Sequence, residues 1–161
     1  MYVLNQRQFG FRHKHSTTHA LIEVIEGITM ALDNNDIAMG VYLDLKKAFD
    51  TVNHEILLAK LYNYGIRGNT HQWLKSYLTN RQQFVKVNGT VSQCKYVNTG
   101  VPQGSVLGPL LFILYINDIT NCASKNCKIM LYADDTNVLL IGDSMNNLKC
   151  QMEDTMNKLY T

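Results

Sequence analysis

Three aspartates stand where apolar stretches of the sequence end, and their side chains are the ones best suited to chemistry. Asp44 closes one such stretch, while Asp134 and Asp135 separate two others. Clustered carboxylates repel one another, and one of them normally takes up a proton. A divalent cation with oxygen ligands, such as Mg²⁺, removes this repulsion. Spacing alone leaves two interpretations open: a metal site, or a solvated Asp-Asp turn with Asp44 as a helix cap.

The segments that must position these aspartates are predicted strands. Residues 37–45 are mostly apolar and predict a buried strand. Residues 128–133 and 137–141 predict a hairpin with Asp134 and Asp135 near its turn. A two-residue turn prefers Asn-Gly, Asp-Gly or a leading Gly. The Asp-Asp pair breaks that preference within a well-patterned segment, which is typical of a functional site.

The remaining segments are predicted to be helices and a further hairpin. Polar capping residues followed by apolar residues at helical spacing indicate helices that begin near Ser16, Asn53, Ser105 and Ser144, with a short one around Trp73. The dipeptide Asn88-Gly89 indicates a hairpin at about 82–98. Without this hairpin, the order is β-α-β-β-α. We therefore expect an α+β fold with a ferredoxin-like core that lacks its last strand, which brings the three aspartates together.

Bulk composition excludes several classes of protein. A net charge of +2 and a pI of 8.3 are compatible with a nucleic-acid partner but do not indicate one. The four cysteines form no CxxC pair, so a zinc site is not expected, and reduced cysteines in an intracellular protein are. No signal peptide is apparent, and the apolar run from Val106 to Ile116 is far short of the roughly 20 residues that span a bilayer.

Four segments resemble the polymerase motifs of reverse transcriptases, and they occur in the family's order. Val41–Asp50 resembles motif A, Gly100–Phe112 resembles motif B, and Tyr132–Asp135 resembles the Y-x-D-D box of motif C. Gln8–Arg12, followed by Ser16 and Thr17, resembles the fingers motif that precedes motif A. A lone Y-x-D-D would be weak, but four ordered motifs are specific.

The connecting stretches narrow the resemblance to non-LTR, LINE-type retrotransposon polymerases, over nearly the whole chain from about Gln6. These stretches are Phe49–His54, Tyr64–Gly68, Tyr77–Arg81 and Tyr115–Asp118. The resemblance implies a polymerase palm at 37–161, with the inserted hairpin at about 82–98, and partial fingers at 1–36. It also implies an RNA-directed DNA polymerase that uses an RNA template, a DNA primer and deoxynucleoside triphosphates, located in the nucleus or cytoplasm rather than in a membrane.

The resemblance assigns the metal site. Asp44 and Asp134 are expected to be the principal ligands of two Mg²⁺ ions, with Mn²⁺ as a possible substitute. Asp135 is expected to be the third acidic member, and the main-chain carbonyl of Leu45 is expected to touch a metal.

Other matching positions are expected to contact nucleotide or nucleic acid. Phe49 occupies the steric-gate position, where a ribose 2′-hydroxyl would sit, although a core aromatic would look the same. Gln103 and Gly104 are expected to line the nucleotide pocket. Three further residues are expected at the nucleic acid: Arg12, Pro102 and Tyr132. A solvated Arg12 and a sheet-packed Tyr132 remain open alternatives.

Three functional interpretations remain open at this level. The chain is a catalytic fragment of a LINE-type reverse transcriptase, a truncated non-catalytic remnant of one, or another palm polymerase such as a group II intron maturase or a viral RNA polymerase. Phe49 and the motif B string favour the reverse transcriptase. The early fingers motifs, the primer grip and the thumb are expected to lie outside the chain. We therefore expect weak activity or none from the chain alone, and its oligomeric state stays open.

Overall fold

The structure is a computed structural model that describes residues 3–124 and 126–160. It shows a mixed α/β fold that divides into two compact units, Met1–Lys46 with Ile116–Thr161, and Lys47–Tyr115. In the first unit the elements are α1 (Thr17–Asp33), β1 (Ile37–Leu43), a short 3₁₀ helix (Asn117–Cys122), β6 (Cys127–Tyr132), β7 (Asp135–Gly142) and α5 (Met145–Tyr160). In the second they are α2 (His54–Asn63), α3 (Gly68–Leu78), β2 (Arg81–Gln83), β3 (Lys86–Val87), β4 (Thr90–Val91), β5 (Lys95–Val97) and α4 (Leu107–Tyr115).

An antiparallel sheet with the strand order β1-β7-β6 forms the centre of the first unit. The β1–β7 ladder runs from the pair Ile37–Gly142 to the pair Leu43–Thr136. β1 lies at an edge of the sheet, where α1 packs against it while α5 packs mainly against β7, and its residues are half-buried or exposed. The expectation of a buried strand was therefore wrong: an apolar stretch does not reveal which faces of its strand the helices cover.

Helices α1 and α5 pack against opposite faces of this sheet. The Ser16 side chain accepts a hydrogen bond from the His19 amide and caps α1, as predicted. Gly27 of α1 lies so close to Leu139 that an added Cβ would come within 2.4 Å of the leucine side chain. Leu148 of α5 is buried beside Gly142. Alternate residues of a strand point to opposite faces, so Leu139 and Gly142 meet different helices.

The second unit is built on three helices and a hairpin. Asn53 caps α2 as predicted, and leucines from α2, α3 and α4 are buried, among them Leu57, Leu61, Leu74, Leu78 and Leu111. In the hairpin, β2 pairs with β5 and β3 pairs with β4. The turn residues Asn88 and Gly89 both have positive φ, at 48° and 83°. This is the conformation for which Asn-Gly is the preferred sequence.

The apolar helix predicted from Ser105 to Asp118 is shorter than expected. Helix α4 begins at Leu107 after Ser105 Oγ accepts a hydrogen bond from the Gly108 amide, and a 3₁₀ helix follows it. Within the described parts of the chain, no helix has both the length and the apolar character that crossing a membrane requires.

Candidate active site

The end of β1 and the start of β7 bring two of the three aspartates side by side. Leu43, the last residue of β1, pairs with Thr136. Continuing the antiparallel register by one residue sets Asp44 opposite Asp135. Residues an even number of positions apart share a face of a strand, so Asp135 lies on the same face of β7 as Leu139, which meets α1. Residues opposite each other on neighbouring strands also share a face, so Asp44 lies on the α1 side as well. There they line one pocket of about 470 Å³, together with Thr17, Ala20, Leu21, Val24, Tyr42, Leu43, Tyr132 and Asn137.

The third aspartate, Asp134, occupies the turn between β6 and β7. Because Tyr132 pairs directly with Asp135, the two turn residues are Ala133 and Asp134. The predicted Asp134-Asp135 turn is thus shifted by one residue. Ala133 has a φ of 56°, a conformation that the first position of such a turn normally gives to glycine. The broken preference predicted for this turn is real, but its residue is Ala133.

The donor chemistry of these aspartates fits a hydrated divalent cation. Asp44 and Asp135 are exposed, and Asp134 is half-buried. Within residues 3–124 and 126–160, no three His, Cys, Asp or Glu side chains are arranged as a ready metal cage. Mg²⁺ does not require one, because it usually binds through one or two carboxylates and completes its shell with water and substrate phosphates.

The turn is braced by a distant segment of the chain. Gln8 is fully buried, and its Oε1 accepts hydrogen bonds from the Gly10 amide (2.8 Å) and the Ala133 amide (3.1 Å). On either side of Gln8, the main chain bonds to Leu131 of β6 through the Arg7 carbonyl and the Phe9 amide, both at 2.8 Å. No role for Gln8 was predicted from the sequence, although its position in the fingers motif was a usable signal.

Two of the residues predicted to contact nucleic acid, Arg12 and Tyr132, lie in the first unit. The Arg12 guanidinium donates through Nη1 to the carbonyls of Asn5 (2.6 Å) and Gln8 (3.1 Å), so it holds the loop that contains Gln8. Tyr132 is half-buried; it packs against the core cluster that includes Phe9 and also lines the aspartate pocket. Leu45, whose carbonyl is a predicted metal contact, is exposed.

The remaining predicted residues lie in the second unit. The Gln103 side chain donates from Nε2 to Asp50 Oδ1 at 2.8 Å. Both residues and Pro102 line a polar pocket of about 670 Å³, to which Arg81, Gln83, Tyr96, Val97, Asn98, Thr99, Gly100 and Val101 also contribute. Gly104 follows Gln103, exposed and with a φ of 78°. No role for Arg81 or Tyr96 was predicted from the sequence.

Phe49 combines a packed face with an accessible one. Its ring stacks on the buried ring of Phe112, with centroids 4.3 Å apart and planes inclined by 28°. Its own side chain is only half-buried. The two roles considered for Phe49, core aromatic and steric gate, are therefore compatible.

Comparison with known proteins identifies the family. The family model described as reverse transcriptase (RNA-dependent DNA polymerase) matches residues 2–160. The chain is 38% identical over 144 residues to the RNA-directed DNA polymerase from mobile element jockey of Drosophila melanogaster, a match covering 86% of this chain and 16% of the relative. It is 40% identical over 136 residues to the probable RNA-directed DNA polymerase from transposon X-element of the same species, covering 83% of this chain and 15% of that relative.

A solved structure supports the fold. The apo telomerase from Candida tropicalis matches with a TM-score of 0.64 at 16% identity, over 91% of this chain and 32% of the telomerase chain. The chain therefore belongs to the reverse transcriptase family, and the resemblance to non-LTR retrotransposon polymerases is confirmed. It spans about a sixth of the length of the curated relatives it matches.

Proposed function

We propose that this chain forms the catalytic palm of an RNA-directed DNA polymerase, which adds deoxynucleotides to a DNA primer on an RNA template. The observation that supports this most directly is the strand register, which sets Asp44 opposite Asp135 next to the turn that holds Asp134. In the reaction, the primer 3′-hydroxyl attacks the α-phosphate of the incoming nucleotide and pyrophosphate leaves.

The metal site in this proposal consists of the three aspartates and one carbonyl. Asp44 and Asp134 are the principal ligands, Asp135 is the third acidic group, and the Leu45 carbonyl completes the set. Two Mg²⁺ ions, or Mn²⁺ in their place, would stabilise charge on the attacking and leaving oxygens. The contribution of the chain is to hold the carboxylates at adjacent strand ends.

The finer fold assignment also belongs to this proposal. Residues 1–36 are part of the fingers, and residues 37–161 are palm with the hairpin at about 82–98 inserted. The order β1-β7-β6 supports a ferredoxin-like core, because the edge of β1 that faces away from β7 is where a fourth strand of such a core would pair.

The substrate contacts in this proposal are those that the motif resemblance assigns. Phe49, Gln103 and Gly104 contact the incoming nucleotide, while Arg12, Pro102 and Tyr132 contact the template or primer. The polar pocket around Gln103 supports this assignment, since amide and carbonyl groups suit the edges of a nucleotide.

Primer extension tests the proposal. A DNA primer annealed to RNA is incubated with deoxynucleotides and Mg²⁺, using this chain and a version extended by its own flanking coding sequence. We expect template-directed extension that chelation of the metal abolishes, strong in the extended protein and weak or undetectable in the chain alone. Absence of extension by a folded extended protein, or a preference for ribonucleotides, would contradict the proposal.

A second prediction concerns the choice of sugar. Phe49→Val is expected to raise the use of ribonucleotides relative to deoxynucleotides by roughly tenfold or more, because it removes the ring that excludes the 2′-hydroxyl. Phe49→Tyr keeps the ring and is the matched control. The ratio of kcat/KM values for the two nucleotide types measures the effect. An unchanged ratio in Phe49→Val would contradict the steric-gate role and leave Phe49 as a core aromatic packed on Phe112.

A further inference from the structure

The turn that presents Asp134 has a conformation its own sequence does not favour. Ala133 has positive φ, which costs a non-glycine residue about 1–2 kcal/mol. Local sequence therefore does not fix the turn, and some other contact must hold it. Ala133 is itself buried, and its amide points away from solvent toward Gln8.

Gln8 supplies that contact. Its Oε1 accepts from the Ala133 amide and the Gly10 amide, so one buried oxygen ties the turn to the N-terminal segment. Gly10 permits this approach, because a Cβ there would lie 2.2 Å from the Ala133 nitrogen. The two donors fix the amide orientation, since only the oxygen of the Gln8 side chain accepts hydrogen bonds.

The segment around Gln8 is itself anchored and does not simply follow the turn. Arg12 holds the carbonyls of Asn5 and Gln8, and the Asn5 amide donates to Asn117 Oδ1 at 2.7 Å. The flanking main-chain bonds to Leu131 fix the register of the segment along β6. Gln8 thus contacts the turn from a segment that is held in place by its own hydrogen bonds.

We propose that Gln8 is a positioning residue that locks the Ala133–Asp134 turn and thereby sets the metal affinity of the aspartates. The metal part of this inference rests on the proposed function, whereas the locking of the turn does not. Residues that do not touch the metal but orient its ligands typically contribute 10- to 100-fold to metal affinity or activity.

The test replaces Gln8 with methionine, which has similar volume and reaches as far but accepts hydrogen bonds only weakly. Mn²⁺ binding to the full chain is measured by electron paramagnetic resonance. We expect Gln8→Met to weaken Mn²⁺ binding about 10- to 100-fold. Gln6→Met is the matched control, two positions away and exposed, and should leave the affinity unchanged.

A double variant separates positioning from general stability. Glycine adopts positive φ readily, so Ala133→Gly should restore most of the Mn²⁺ affinity lost in Gln8→Met, while leaving the affinity of the parent chain nearly unchanged. Thermal melting is recorded for every variant. Equal affinity in Gln8→Met and the parent, or no recovery in a folded double variant, would overturn the inference. If Gln8→Met does not fold, Gln8→Asn, which keeps the amide but shortens it by one methylene, takes its place with the same expected order of affinities.

Amide hydrogen exchange at Ala133 reports whether Gln8 locks the Ala133–Asp134 turn, and this measurement requires no metal. Protection of this amide should fall in Gln8→Met and persist in Gln6→Met. If the parent chain binds no Mn²⁺, the proposed metal site fails, but loss of protection still supports the lock. Protection that persists in Gln8→Met overturns it.

Discussion

Asp44→Asn is expected to reduce nucleotide incorporation about 10³-fold or more in a protein that extends primers. Neutralising one carboxylate removes several kcal/mol of metal-dependent stabilisation, and about 4 kcal/mol corresponds to a factor of about 10³ in rate. The rate is measured in single-turnover primer extension at saturating Mg²⁺. Asp154→Asn is the control, since this exposed carboxylate lies in α5 and pairs with Lys158 one helical turn away.

The other two aspartates extend this test. The family motif ranks Asp134 above Asp135, whereas the strand register sets Asp135 opposite Asp44. We expect Asp134→Asn to match the loss in Asp44→Asn, and Asp135→Asn to lose less. The reverse order would mean that the neighbouring pair at the strand ends binds the metal. Full activity in Asp44→Asn would contradict the proposed metal site.

Gly100→Ala is expected to destabilise the second unit by about 2–5 kcal/mol. Gly100 has a φ of 85°, and an added Cβ would lie 2.8 Å from the Asp50 Cα and carbonyl oxygen. The backbone conformation costs about 1–2 kcal/mol, and the clash with the main chain adds about 1–3 kcal/mol. Urea unfolding, followed by the fluorescence of the chain's one tryptophan, Trp73 in α3, measures the change.

Gly104→Ala provides the control in the same loop. Gly104 also has positive φ, at 78°, but nothing lies within 4 Å of its added Cβ. It should therefore show the conformational cost alone. Equal losses in the two variants would mean that the contact between Gly100 and Asp50 does not tighten the loop.

Local patterns in the sequence predicted the elements well, because caps and periodicity are local signals. Ser16 and Asn53 begin helices where their side chains accept backbone hydrogen bonds. Asp44 falls one residue beyond its strand. Long-range features were less accessible from the sequence. The exposure of β1 depends on which helices cover it, and the one-residue shift of the turn depends on pairing between strands.

The features of the candidate site likewise divide into those visible locally in the sequence and those that depend on long-range contacts. Motif resemblance pointed to Asp44, Asp134 and Asp135, since their types and order are visible in the chain. The contact of Gln8 with Ala133 spans 125 positions, and no local pattern predicts it. Positive φ at Ala133 was equally inaccessible, because alanine ordinarily gives no sign of it.

The separation between Gln8 and Ala133 has a consequence for folding kinetics. Contacts between distant residues form only after the entropy of closing a long loop has been overcome, so they tend to form late. On a ribosome, the N-terminal segment must wait for the β6–β7 hairpin to emerge before Gln8 finds its partner. We therefore expect the aspartate turn to be among the last parts of its unit to become ordered, which would keep a nascent chain without a finished site until synthesis has passed Gly142, the end of β7.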